Sequence, residues 1–246
     1  MWTFLAGEFL TLANKVVMRW IRLIPVGYAE IFKVKKQGRP MIFVGWHGHN
    51  LVNLGVYLRM FGQDSQAVIM VRNDFGGRVL AHLARRSKIR VVFLGKDPNS
   101  FRWARGVVEV IDLVKNGYDA LLAVDGPEGP AYQVRPGAAL MAKRSGAVLA
   151  SMVATSNRRI NLVKRWDKHM IPLPGARTVV HFGPIIDPLE QHSLPPTLDE
   201  LREKIAEALL TGMHQAVELC LDSESSITEL IEKGHNERQY RANQRT

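Results

Sequence analysis

Two segments hold the side chains best suited to chemistry. Residues 41–50, MIFVGWHGHN, run from an apolar stretch into His47 and His49, and residues 121–137, LLAVDGPEGPAYQVRPG, run from a second apolar stretch into Asp125 and Glu128. A histidine at a strand tip, followed by glycine and the start of a helix, suits a general base. Its ordinary pKa lies near neutrality, and helix N-terminal amides stabilise an anion nearby. His47 is the candidate base, and backbone amides around Gly48 and His49 are candidate donors to an oxyanion. In DGPEGP two prolines and two glycines dictate an irregular loop that displays two carboxylates. Arg135, Lys143, Arg144, Arg158, Arg159, Lys164 and Arg165 follow it, a concentration of charge that suits a phosphate-bearing ligand or lipid headgroups. A His-x-His pair also has chelating capacity, but His82, His169, His181 and His192 offer no matching spacing, so no metal is expected. Cys220, the only cysteine, rules out an internal disulfide and is expected to serve as core packing.

Such side chains meet only if the elements before them align. Past Pro25 the chain alternates short β-rich runs with helical patterns, which predicts an α/β fold: one domain with a mostly parallel central sheet flanked by helices. Strands are expected over 41–45, 67–71, 89–94, 120–124, 148–153 and 178–182. Helices are expected over 50–60, 76–86, 100–115, 136–144 and 198–221. In an open sheet of this kind ligands bind beyond the carboxyl ends of the strands, where His47, His49, Asp125 and Glu128 would converge. With 246 residues and 46% hydrophobic content the chain suffices for one sizeable core. The expected layout is an amphipathic helix over 1–24, the α/β domain over 25–222 and a polar tail over 223–246.

The first segment bears on location. Glu8, Thr11, Lys15, Arg19 and Arg22 fall on one narrow helical stripe, while Trp2, Leu5, Phe9, Leu12, Val16, Trp20, Leu23 and Ile24 cover a wide opposite face. The charges interrupt any run long enough to span a bilayer, so the segment is expected to lie in a membrane interface. The competing expectation is a helix docked on the protein's own core. A secretory signal fits poorly, because the basic residues follow the apolar start. The net charge of +10 implies an anionic partner.

The sequence resembles the glycerolipid acyltransferase superfamily, and within it the bacterial lysophospholipid acyltransferase-like branch related to lipid A late acyltransferases. The resemblance runs from about Ile42 to Ile186. It rests on Trp46-His47-Gly48, on Asp125-Gly126-Pro127 with Gly129-Pro130, on residues 134–145 (VRPGAALMAKRS), on Trp166-Asp167 with Ile171-Pro172 and Pro174, and on Phe182-Gly183. It implies transfer of a fatty acyl group from a thioester to a lipid hydroxyl, with His47 as base. It also implies contacts to substrate from Trp46, Gly48, His49, Gly126, Pro127 and Glu128, with Arg135 and Arg158 from the basic cluster.

The sequence departs from that pattern in two places. The superfamily's usual acid, five positions after the histidine, is replaced by Val52, which leaves Asp74, Asp125 or a backbone carbonyl to orient His47. Glu128 stands where relatives commonly carry a basic residue, which implies a different acceptor or altered activity. The expectation is a peripheral acyltransferase on the cytoplasmic face of a bacterial inner membrane. Its substrate would be a (lyso)phospholipid or related lipid, its donor acyl-CoA or acyl carrier protein, and it would need no resident cofactor. The alternative is a catalytically silent lipid-binding homologue. No nucleic-acid partner is expected, since no aromatic-basic motif or recognition helix occurs.

Overall fold

In the computed structural model of the protein, residues 2–62, 66–126, 128–189 and 196–221 are described. The expected tail over 223–246 lies outside them. The chain forms a single α/β domain built on a seven-stranded sheet. Its elements in order are α1 (Trp2–Trp20), β1 (Arg22–Val26), α2 (Ala29–Lys36), β2 (Met41–Gly45), a 3-10 turn (His47–His49), α3 (Asn50–Phe61), β3 (Ala67–Arg72), α4 (Phe75–Arg86) and β4 (Arg90–Leu94). There follow α5 (Phe101–Lys115), β5 (Asp119–Ala123), α6 (Gly137–Ser145), β6 (Val148–Ser156), β7 (Arg159–Asn161), β8 (Met170–Pro172), β9 (Arg177–Ile186) and α7 (Leu198–Leu221).

The strand order is β1-β9-β6-β2-β5-β3-β4, parallel except where β6 meets β9. Strand β2 is buried along its whole length, and its side chains alternate between two cores. Met41 and Phe43 join the cluster under α1, α3 and α4, whereas Ile42 and Val44 join the one under α5, α6 and α7. At the start of β2, buried Asp119 accepts hydrogen bonds from Lys35, the Tyr57 hydroxyl (2.6 Å) and the Met41 amide (3.2 Å), which locks β2 beside β5. Register then fixes the other end. Gly45 pairs with Ala123, so the segments leaving β2 and β5 emerge side by side.

The amino-terminal segment departs from the expected boundary. The helix ends at Trp20; Leu23 and Ile24 belong to β1, which pairs in parallel with β9, so a boundary at residue 24 would cut a sheet strand. Proline 25 is tolerated there because β1 is an edge strand. The helix docks by a stripe opposite the apolar face and beside the charged one, on which Lys15 and Arg19 stay exposed. Gly7, Thr11, Asn14 and Met18 are buried, Glu8 pairs with His82 of α4 at 2.7 Å, and a Cβ on Gly7 would lie 2.6 Å from the His82 side chain. The wide apolar face points outward, with Trp2 75%, Phe9 74% and Trp20 66% exposed. No described helix is long and apolar enough to cross a membrane.

The β7–β8 hairpin and the two elements β1 and α2 are absent from the sequence expectation. The hairpin strands are three residues long, too short for a period-2 pattern to register, and β1 contains Pro25, which reads against a strand.

Candidate active site

His47 and Asp125 stand two residues past the paired ends Gly45 and Ala123. The Asp125 carboxylate accepts from the His47 amide at 2.7 Å and from the Tyr132 amide at 3.1 Å. Asp125 therefore holds the backbone that carries the histidine and ties the DGPEGP loop to it; its oxygens are spent on amides, not on the imidazole. Asp74 does not reach the ring either. It caps α4 by accepting from the Gly77 amide at 2.8 Å, and it pairs with Arg72 at 3.3 Å. Val52 is buried in the core on α3, out of reach of the site.

The acid that orients His47 comes from elsewhere in the chain. Asp167 Oδ2 lies 2.9 Å from His47 Nδ1. Its side chain is fully buried, and Arg165 clasps both oxygens, with Nε 2.8 Å from Oδ1 and Nη2 3.0 Å from Oδ2. Burial opposes ionisation of this carboxyl, but the hydrogen bonds from the Arg165 guanidinium and from His47 outweigh it and hold Asp167 well below the usual carboxylate range. An ionised partner on Nδ1 fixes the proton there. Nε2 is left as the basic nitrogen.

Several side chains set this pair in place. The Trp166 ring lies 4.9 Å from the His47 ring, tilted by 44°. Gly48 allows the segment bearing Asp167 to approach, since a Cβ there would stand 2.1 Å from the Asp167 carbonyl oxygen. Gly126 does the same beneath the imidazole, where a Cβ would meet His47 Cδ2 at 2.9 Å. His169 Nδ1 lies 3.5 Å from Asp167 Oδ2, on the same oxygen that His47 uses. His49 is buried, and desolvation, with lesser contributions from His169 and Arg159, pushes its pKa down to about 4, so it is neutral near pH 7. Its amide closes the 3-10 turn onto the Trp46 carbonyl at 3.0 Å and is not available to an oxyanion.

The remaining predicted residues divide between support and surface. Trp46 is fully buried and packs edge-on against Tyr132 at 5.4 Å, so it braces the loop. Arg135 donates to the Gly129 carbonyl, and its amide donates to the Val124 carbonyl at 2.9 Å. Glu128 pairs with Arg72 at 2.9 Å, bridging the loop to the end of β3. Arg158 is exposed beside β7 and takes no part in the site. Pro127 lies outside the described residues.

His47 opens on a cavity of about 660 Å³ between the sheet and the helices α1, α3 and α4. Its wall is mainly apolar, with Leu10, Leu54, Ile69, Leu80, Leu121 and Met152 among the lining residues. Polar groups gather at the His47 end, where Asn50, Arg72, Asp74, Arg165 and His169 line the same space. From the sequence, Arg165 stands only in the basic cluster and Asp167 only among the motifs of the resemblance; neither these two nor His169 is read there as a partner of His47. The available signal was the run Arg165-Trp166-Asp167, in which an acid follows an arginine and an aromatic ring.

Comparison with known proteins adds little to this geometry. No protein-family model matches the chain. It is 27% identical over 170 residues to an uncharacterized protein of Rickettsia prowazekii (strain Madrid E), an alignment that covers 67% of this chain and 74% of that protein.

Proposed function

We propose that the protein transfers a fatty acyl group from a thioester donor to a hydroxyl of a (lyso)phospholipid or related membrane lipid, as the resemblance to glycerolipid acyltransferases implies. The observation that carries this reading is a carboxylate-oriented histidine at the mouth of a deep apolar cavity. Nε2 of His47 takes the proton of the acceptor hydroxyl as its oxygen attacks the thioester carbonyl carbon. The tetrahedral intermediate then collapses, the carbon–sulfur bond breaks, and the thiol leaves with the proton returned by the imidazolium. Asp167 stabilises that imidazolium and is not itself protonated. The cavity suits an alkyl chain, which needs a dry apolar sleeve and few polar contacts.

The outward apolar face of α1 supports the rest of the reading. An exposed stripe carrying Trp2, Phe9 and Trp20 on a chain of net charge +10 suits the interface of an anionic bilayer, here assigned to the cytoplasmic face of the inner membrane. The silent lipid-binding alternative drew on the missing acid at position 52, and Asp167 removes that ground. The test is transfer of labelled acyl groups from acyl-CoA and acyl carrier protein to a total lipid extract. A labelled lipid product formed by the wild-type chain and lost in His47→Ala supports the proposal. Absence of product with both donors overturns it.

A further inference from the structure

The β7–β8 hairpin has an outer surface that the reading above leaves unused. Residues 157–165 are exposed without interruption, among them Ile160, Leu162 and Val163, the last of these 72% exposed. Register sets Ile160 opposite Ile171, while the flanking Met170 and Pro172 are buried. Side chains alternate along a strand, so the Ile160–Ile171 pair faces away from the body of the protein. Cations surround this apolar tip. Arg158, Lys164 and Lys168 flank it, and the only acid over 157–172 is Asp167, already buried and clasped by Arg165.

The base of the hairpin meets the end of α1. The Gly175 amide donates to the Trp20 carbonyl at 3.0 Å, and the Leu173 amide donates to the Arg158 carbonyl at 3.0 Å. An apolar tip ringed by cations, continuous with an amphipathic helix, matches an anionic lipid surface on both counts. Aliphatic groups enter the acyl boundary while Lys and Arg meet phosphates. A two-stranded hairpin is marginal in water by itself, so a surface that seats it also orders what it carries. This one carries Asp167, four residues past Val163.

We propose that the β7–β8 hairpin is a second interfacial anchor, inserting Leu162 and Val163 into an anionic lipid surface beside the loop that carries Asp167. This rests on the membrane reading above. The test exploits the single cysteine: Val163→Cys in a Cys220→Ala background carries a polarity-sensitive fluorophore, with Asn116→Cys at the far end of α5 as the control. The full chain is mixed with vesicles of phosphatidylglycerol or phosphatidylcholine, and flotation is measured in parallel. With phosphatidylglycerol the label at 163 is expected to shift to the blue and become shielded from aqueous iodide, while the label at 116 stays in water. In the native-cysteine chain, Arg158→Gln with Lys164→Gln should weaken partitioning roughly thirtyfold at low salt, at about fivefold per charge. Flotation with position 163 still open to iodide overturns the hairpin proposal and leaves the α1 reading standing. No flotation at all overturns both, and equal shielding on phosphatidylcholine overturns the anionic requirement.

Discussion

Asp167 reaches His47 across 120 residues of sequence, and its carboxylate meets the imidazole at 2.9 Å. The two arrive by different routes. His47 is delivered by β2, the central strand buried on both faces, and its backbone is pinned by Asp125. Asp167 is delivered by the β7–β8 segment, held against the sheet by the close approach at Gly48. The base thus stands at the end of a buried strand and meets an acid on a separately mounted loop.

The first prediction separates the pair from its neighbours. His47→Ala should lower acyl transfer by about 10² to 10⁴, the usual cost of losing a general base, and Asp167→Asn should fall in the same range by letting the imidazole adopt the wrong tautomer. Asp74→Ala removes a helix cap and should cost about 1 kcal/mol of stability with a much smaller effect on rate. Rates with labelled thioester donor and urea midpoints distinguish the two kinds of loss. Full activity in Asp167→Asn would refute the orienting role.

A second prediction concerns Gly48. Its added methyl would overlap the Asp167 carbonyl oxygen at 2.1 Å, so Gly48→Ala must push the acid-bearing loop away from the histidine. Activity should fall at least tenfold, and stability by roughly 1–3 kcal/mol as for other overpacked sites. Gly137→Ala, where nothing lies within 4 Å, should leave both unchanged within about 0.5 kcal/mol.

The third prediction follows from the Arg72–Glu128 pair, 2.9 Å long and linking the DGPEGP loop to β3 at the cavity rim. Glu128→Arg sets two guanidinium groups where one pair stood. The loop should move away from Arg72 and the preferred acceptor should change, read from the lipid products by mass spectrometry. An identical product profile would show that the loop does not contact the acceptor.

The sheet was legible because its strands are apolar runs bounded by turn residues, and β2, β3, β4, β5, β6 and β9 all fall on stretches such as Met41–Gly45 that read this way. His47 was legible for the same reason, as a polar side chain at the end of a buried strand. Asp167 was not, because its role depends on a loop whose path is fixed by Gly48 and by a hairpin with three-residue strands. Sequence periodicity carries information about faces of regular elements, not about where a loop lands. The orientation of α1 was half legible. Its amphipathicity was plain, but the side that docks is decided by the Gly7–His82 contact and the Glu8–His82 pair, which no pattern within the helix contains.

The fourth prediction uses the outward face of α1. Phe9→Glu with Trp20→Glu should strongly weaken flotation with phosphatidylglycerol vesicles while leaving the fold intact, since both side chains are exposed. Deleting residues 1–22 is a poor substitute. That removes Met18 and Ile21 from the core, uncovers the cavity wall at Leu10 and deprives Arg59 of the carbonyls of Met18 and Ile21, so the truncated chain should lose stability outright. Undiminished flotation in the double variant would overturn the membrane role of this face.

The last prediction concerns pH. His49 is held neutral by burial, its pKa falling from 6.5 to about 4, and burial lowers His169 and His181 in the same direction. Below about pH 6.5 the unfolded chain takes up protons on these side chains that the folded chain refuses, so stability falls as pH drops from about 6.5 towards 4. For His49 alone the interval from 6.5 to about 4, at 1.36 kcal/mol per pH unit, corresponds to an effect on the order of 3 kcal/mol. Asp167 acts in a different window. Its folded pKa is depressed, so its contribution is present above the ordinary value of 3.8 and is lost only as pH falls through the lower folded value. Between about pH 6.5 and 5 the buried histidines are the groups expected to lose stability; nearer pH 4.5 the lowered carboxyls of Glu8 and Glu200 begin to contribute as well. Urea midpoints measured at about pH 7 and pH 4.5 should differ strongly in the wild type and less in His49→Leu, which buries no titratable group at that position. An unchanged difference in His49→Leu would show that His49 is not among the groups responsible.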